Sequence, residues 1–268
     1  MVKSDWNQAP LYDVIATLKG KDRPDEWVVR GNHRDGWVMG AEDPLSGHTA
    51  MMEEAKSIGA LVKTGWRPSR HLVSASWDGE EVGMMGSTEW AETHADELRK
   101  KAVLYINTDS SGRGALGADA SYATQGLINQ VAADIVDPET KASAQARALA
   151  SLQVAAMSPG ARDSVKEQAK AAARTGEAPV DDMGSGSDYT PFVQHLGIAS
   201  INFSYGGEDE GGVYHSLYDT FEHYQRFNDP GSVYQALMAK TAGRLVLRTA
   251  NAEVAPFAFT AAADKIAG

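Results

Sequence analysis

The sequence predicts a three-layer α/β/α domain around a mostly parallel central sheet. Two observations lead there. Short apolar runs alternate with stretches whose apolar residues recur at helical spacing, in the order β-α-β-α-β, and that order implies parallel strands joined by crossover helices. The chain is also long enough for one large core, with 268 residues of which 43% are hydrophobic and 23% charged.

The elements follow in order. LYDVIATLKG (11–20) and EWVVRGN (26–32) read as extended segments joined by the turn KDRPD, which predicts a hairpin. After a Gly/Pro-containing loop at 36–47, HTAMMEEAKSIGALVKTG (48–65) has helical apolar spacing. RHLVSASWD (70–78) reads as a buried strand. GSTEWAETHADELRKK (86–101) reads as one amphipathic helix opened by a Ser/Thr cap, and KAVLYINTD (101–109) as a second buried strand. Residues 138–174 are Ala-rich and read as two helices broken at SPGA (158–161). The glycine-rich loop MGSGSDYTPF (183–192) precedes a short strand in LGIASINF (196–203). A polar loop (204–212), the segment VYHSLYDTFEHY (213–224) and a final helix over 231–249 follow.

Charge and composition exclude several functions. Lys and Arg number 25 against 36 Asp and Glu, a net charge of −11, which disfavours nucleic-acid partners and anionic membrane surfaces. No apolar run is long enough to span a bilayer, and the first twenty residues lack the charged-then-apolar order of a signal peptide. With no cysteine, disulfides and thiolate chemistry are excluded, and any catalysis must use oxygen and imidazole.

The informative polar groups fall just past predicted strand ends, where open α/β sheets place their sites. GNHRDG supplies His33 and Asp35, the following loop Asp43, SWDGEE Glu80 and Glu81, INTD Asp109, and VYHS His215. Taken singly, His33-x-Asp35 reads as a capped loop, Glu80-Glu81 as a solvated helix start and Asp109 as a turn cap. Their concentration at one sheet edge argues otherwise, because like charges repel without a cation. His33, Asp43, Glu81, Asp109 and His215 are two imidazoles and three carboxylates, a set suited to two Zn²⁺ ions sharing one carboxylate. His48, His71, His94, His195 and His223 read as surface or packing residues. Trp77 and Trp90 read as core, and Trp37 is the tryptophan best placed to be an exception.

GNHRDGWVMGAEDPLSG, LVSASWDGEEVGMMGSTEWAE, YINTDSS, GSGSDY and VYHSLYDTFE together resemble the M28 family of dizinc metallopeptidases, in its glutamate carboxypeptidase II branch. The similarity runs from about residue 11 to 257 and is weakest over 112–180. It implies that His33 and Asp109 hold one zinc, Glu81 and His215 the other, and that Asp43 bridges them. It further implies Glu80 as general base and acid acting on a metal-bridging hydroxide, Asp35 as the carboxylate orienting His33, and Tyr214 as a hydroxyl stabilising the tetrahedral intermediate. Gly186, Ser187 and Asn202 match substrate-binding positions. Glu89 and Glu92 match two carboxylates of a structural calcium site. An exopeptidase acting on small peptides is the implied function. The alternatives are a non-catalytic receptor-like relative and a metal amidohydrolase of the glutaminyl cyclase type.

The resemblance also implies an isolated catalytic domain over 1–268. The family's apical and helical dimerisation domains have no counterpart here, so a monomer is expected and the calcium site is incomplete. The family is usually exported, but this sequence leaves the compartment open. The guanidiniums that bind acidic substrates in the relative fall at Gly117, Asn202 and Ser204, and a family asparagine falls at Ser187, with Arg113 the available substitute. Met84, Met85 and Phe203 point instead to neutral or apolar substrates. Finally, the sharp turn that would aim one carboxylate at two metals predicts a cis Asp43–Pro44 bond, since proline lowers the cost of the cis form.

Overall fold

In the computed structural model, which describes residues 7–208, 212–261 and 263, six strands form one sheet. They are β1 (Val14–Leu18), β2 (Arg23–His33), β3 (Arg70–Trp77), β4 (Ala102–Asn107), β5 (Gly114–Ala120) and β6 (Ser200–Gly207), in the spatial order β1-β3-β2-β4-β6-β5. The four inner strands β3, β2, β4 and β6 are parallel, and the edge strands β1 and β5 run antiparallel to their neighbours.

The helices are α1 (Leu45–Lys63), α2 (Met85–Thr93), α3 (Ala95–Lys101), α4 (Gln125–Asp134), α5 (Ala144–Met157), α6 (Asp163–Thr175), α7 (Phe221–His223) and α8 (Val233–Asn251). Successive strand residues face opposite layers, so the continuous apolar runs make two cores. Val28, Leu72 and Leu104 pack with Leu127 and Val131 of α4 and with Met238 and Leu245 of α8. Their neighbours Val29, Val73 and Tyr105 pack with Ala91 of α2, Leu98 of α3 and Phe192. The three-layer fold is as expected.

Four local expectations need correction. The hairpin between 11–20 and 26–32 does not form, because β3 lies between β1 and β2 and pairs Val14 with Ser76 and Val28 with Leu72. β2 is buried on both faces from Val28 to His33 and takes a central place, whereas β1 is half exposed and suits an edge. The connection steps over the start of β3, where the N–H groups of Lys21 and Arg23 donate to the carbonyls of Pro68 and Ser69. The helix expected over 86–101 is two, α2 and α3, which meet at His94. No Ser/Thr side chain caps α2; its N-cap is Met84 at φ 55°, and the Ser87 hydroxyl donates back to the Met84 carbonyl. β5 and α4 were not anticipated: β5 (GALGADA) is built of small residues with no β-branched side chain. The two helices over 138–174 and the final helix are present, α8 beginning where the Asp229 carboxylate accepts the N–H groups of Val233, Tyr234 and Gln235.

Candidate metal centre

Parallel strands deliver their C-terminal ends to one rim, and the polar groups collect there. His33 ends β2, Glu80 and Glu81 follow β3, and Asp109 follows β4. Asp43 precedes α1 across a cis Asp43–Pro44 bond, as expected, and His215 sits at φ 54° in the loop after β6. Among the described residues, the ligand atoms of Asp43, Glu81 and His215 all lie within 4.8 Å of one another. His215 Nε2 is 3.1 Å from Asp43 Oδ2 and 3.0 Å from Glu81 Oε2. On the other side, His33 Nε2 is 3.4 Å from Asp43 Oδ1, 3.7 Å from Asp109 Oδ1 and 3.9 Å from Glu80 Oε2. Asp43 therefore offers one oxygen to each imidazole.

The charges strain against one another. Burial would lower the His33 imidazole, but hydrogen bonds to Asp35 and Asp43 and the charges of Asp109 and Asp188 outweigh it and push its pKa up to about 11. Burial, resisted by His33 and reinforced by Asp109, Glu81 and Asp43, pushes Glu80 up to about 7. Burial and the Asp43 carboxylate raise Glu81, and burial likewise raises Asp109 against the pull of His33. Crowded carboxylates raised by burial and by one another's charge mark a place for positive charge.

The surrounding groups brace this set. Asp35 holds both faces of the site: its carbonyl lies 3.0 Å from His33 Nδ1, and its carboxylate accepts the N–H groups of Glu80 and Glu81, each at 3.1 Å. Asp109 Oδ1 accepts from Asn107 Nδ2 at 3.0 Å and from the Ser187 hydroxyl at 2.9 Å. The main-chain N–H of Trp37 donates to Glu81 Oε1, and the Trp37 side chain, in a residue 55% exposed, lies edge-on to His215. Tyr214 stacks on His215 with ring centroids 3.7 Å apart. Burial and the negative charges of Asp43, Glu81, Glu80 and Asp109 push its phenol up to about 12, so it stays a donor at neutral pH.

Other expected residues fall elsewhere. Glu89 and Glu92 lie on exposed positions of α2, away from the trio. Ser187 is buried, and its hydroxyl serves Asp109. Gly186 is exposed at φ 122°, and Asn202 accepts from Asn107 and faces Asp119. Phe203 is a core residue, 2% exposed, so it does not meet substrate, whereas Met85 is exposed. Arg113 pairs with Glu139 and Glu208. Trp77 is buried in the second core and Trp90 packs beside it.

Several residues escaped the sequence reading. Asp219 accepts the N–H groups of Glu42 and Asp43. Asn32, Asn107 and Thr108 are fully buried polar groups directly before or near the candidate ligands. Asp188 is fully buried, and among the described residues no donor meets its carboxylate oxygens in good hydrogen-bond geometry; burial, against the pull of the nearby Ser87 hydroxyl, holds it well above the ordinary carboxylate range. The available signal was a polar residue interrupting an apolar strand run, as in VVRGN and VLYINT.

The chain has relatives among known proteins. The chain is 36% identical to a probable glutamate carboxypeptidase of Arabidopsis thaliana over 253 residues, covering 94% of this chain and 34% of that protein. It is 32% identical over 254 residues to an aminopeptidase of Rattus norvegicus, covering 91% of this chain and 32% of that one. The chain thus spans about a third of the length of these relatives. Among solved structures, a zinc aminopeptidase from Bacillus subtilis superposes with a TM-score of 0.58 at 18% identity, covering 91% of this chain and 52% of that one. The Legionella pneumophila aminopeptidase LapA gives 0.61 at 18% identity, covering 94% and 58%. These last two are likenesses of fold. The model of peptidase family M28 matches residues 13–233, and the chain belongs to that family.

Proposed function

We propose that this chain is the catalytic domain of a zinc-dependent exopeptidase that hydrolyses small peptides at a centre of two metal ions. One observation carries the reading: the two oxygens of Asp43 face different imidazoles, Oδ1 at 3.4 Å from His33 and Oδ2 at 3.1 Å from His215. Each imidazole has a further carboxylate beside it, Asp109 for His33 and Glu81 for His215. The donor set fits zinc, which favours imidazole nitrogen and carboxylate oxygen. The crowding of raised carboxylates is the state that bound cations relieve. His33 and Asp109 would hold one ion, Glu81 and His215 the other, and Asp43 both. Bound there, zinc would lower the pKa of water and polarise a carbonyl.

The chain's own groups supply the rest. Glu80 lies beside His33 and is not needed as a ligand, so its carboxylate is free to take a proton from water and return it to the leaving amine. The Tyr214 hydroxyl, protonated at neutral pH, can donate to the developing oxyanion. Asp35 fixes the His33 ring and the backbone of Glu80 and Glu81 together, so base and ligands keep one spacing.

A receptor-like, non-catalytic relative would not need all five ligand positions and Glu80 filled. The test is metal content together with turnover. Protein purified without chelator should carry close to two zinc equivalents and hydrolyse members of a dipeptide panel. Near-zero zinc after reconstitution would sink the reading, and so would glutaminyl cyclisation in place of hydrolysis.

A further inference from the structure

We infer that Asn32 and Thr108 are positioning residues that set the spacing of His33, Asp43 and Asp109. The inference rests on the metal-centre reading above. Asn32 directly precedes His33, Thr108 directly precedes Asp109, and Pro44 directly follows Asp43. The Thr108 hydroxyl donates to Asn32 Oδ1 at 2.6 Å. Asn32 Nδ2 donates to the His33 carbonyl at 2.8 Å and to the Pro44 carbonyl at 3.4 Å. One side-chain amide therefore joins the three chain segments that carry these candidate ligands.

The joint is anchored and dry. Asn32 and Thr108 are both 0% exposed. Arg30 Nη2 donates to the Thr108 hydroxyl at 2.6 Å, and Arg30 Nε donates to Glu54 Oε2 at 3.1 Å, which ties the joint to α1. With Arg30 donating to it and Asn32 accepting from it, the Thr108 hydroxyl has one orientation. The Gly47 N–H donates to the Asp109 carbonyl at 3.1 Å. A Cβ on Gly47 would lie 2.4 Å from that carbonyl oxygen and 2.5 Å from Asn32 Oδ1, so α1 approaches the joint only because position 47 is glycine.

Placement separates this network from ordinary core stabilisation. The two bonds that Asn32 donates end on the main chain of a candidate ligand, His33, and of a ligand's neighbour, Pro44, so a small shift of Asn32 moves His33 and Asp43 relative to each other. Partners one step removed from metal ligands set affinity in this way, with losses of about 10- to 100-fold on mutation.

The test uses the full chain, stripped of metal, as wild type and as Thr108→Val, Thr108→Ser and Asn32→Ser. Zinc affinity is read by competition with a chromophoric chelator, the visible spectrum of the cobalt(II) form reports ligand geometry, and apo melting temperatures report the fold. Thr108→Ser keeps the hydroxyl and should bind zinc as the wild type does. Thr108→Val keeps the shape without the hydroxyl and should bind about 10- to 100-fold more weakly with an altered cobalt spectrum. Thr108→Val with wild-type zinc affinity and spectrum, and only a lower melting temperature, would overturn the inference alone. Should that variant not fold, Asn32→Ser decides by the same readouts. A wild-type chain that binds no zinc would overturn the metal-centre reading and this inference with it.

Discussion

The Asp219 carboxylate clasps the backbone of Asp43, accepting its N–H through Oδ2 at 3.1 Å while Oδ1 accepts the Glu42 N–H at 2.7 Å. Asp219 lies four residues beyond His215 and is buried. One side chain thus locks the His215 loop to the loop that carries the candidate bridging carboxylate. In Asp219→Asn an amide NH₂ would face one of these donors. The variant should lose about 1–3 kcal/mol of stability and about tenfold in zinc affinity. Calorimetry and chelator competition check this, and unchanged values in both would refute the clasp.

Glu80→Gln should separate chemistry from metal binding, because Glu80 is the proposed base and not a ligand. Turnover should fall by about 10²- to 10⁴-fold while zinc content stays at the wild-type level. A variant that kept most of its activity would remove Glu80 from the mechanism.

Neutral dipeptides or aminoacyl amides should be hydrolysed faster than acidic substrates of the N-acetyl-aspartyl-glutamate type. Gly117 pairs with Ser204 across β5 and β6, and Asn202 pairs with Asp119, so no guanidinium stands at these positions. Arg113 is held by Glu139 and Glu208. A carboxylate side chain here would lose water without gaining a bidentate partner. Values of kcat/KM favouring the acidic substrate by about tenfold or more, roughly 1.4 kcal/mol, would defeat this.

Asp137 offers a pH test away from the centre. Burial alone would raise its carboxyl, but hydrogen bonds from the Thr140 backbone, Arg147 and the Thr140 hydroxyl outweigh it and hold the pKa below the usual range. A depressed acid contributes stability above its unfolded pKa of about 3.9, and that contribution is lost as pH falls through the lower folded value. Asp137→Asn should therefore be less stable than wild type at pH 7, and the gap should close below about pH 4. Denaturant melts across that range check it, and a gap of constant size would contradict it.

The ends of the inner strands were legible because chemistry and periodicity coincide there: an apolar run stops and His33, Glu80 or Asp109 appears. The pairing of β1 was not legible. An edge strand's sequence records how exposed it is, not which neighbour covers its inner side, and β3 comes some fifty residues later. β5 is not legible because GALGADA has neither β-branched side chains nor alternation. At the site, groups that could touch metal or substrate are legible from their chemistry. Asp219, Asn32 and Thr108 are not, because Asp219 and Asn32 act through bonds to backbone atoms, and Thr108 through side-chain bonds to Asn32 and Arg30, that only the folded chain brings near.

The inner strands point one way, so the two ends of the sheet differ in what they tolerate. Turns 19–22 and 64–69 lie at the end away from the centre, where Lys21 and Arg23 bond Pro68 and Ser69. Exposed turns far from a site accept added chain more readily than those that build it. Lys63, Thr64 and Gly65 are exposed and Gly20 and Pro68 are buried, so an affinity tag or a fused partner at this end belongs at 63–65, away from His33 and His215.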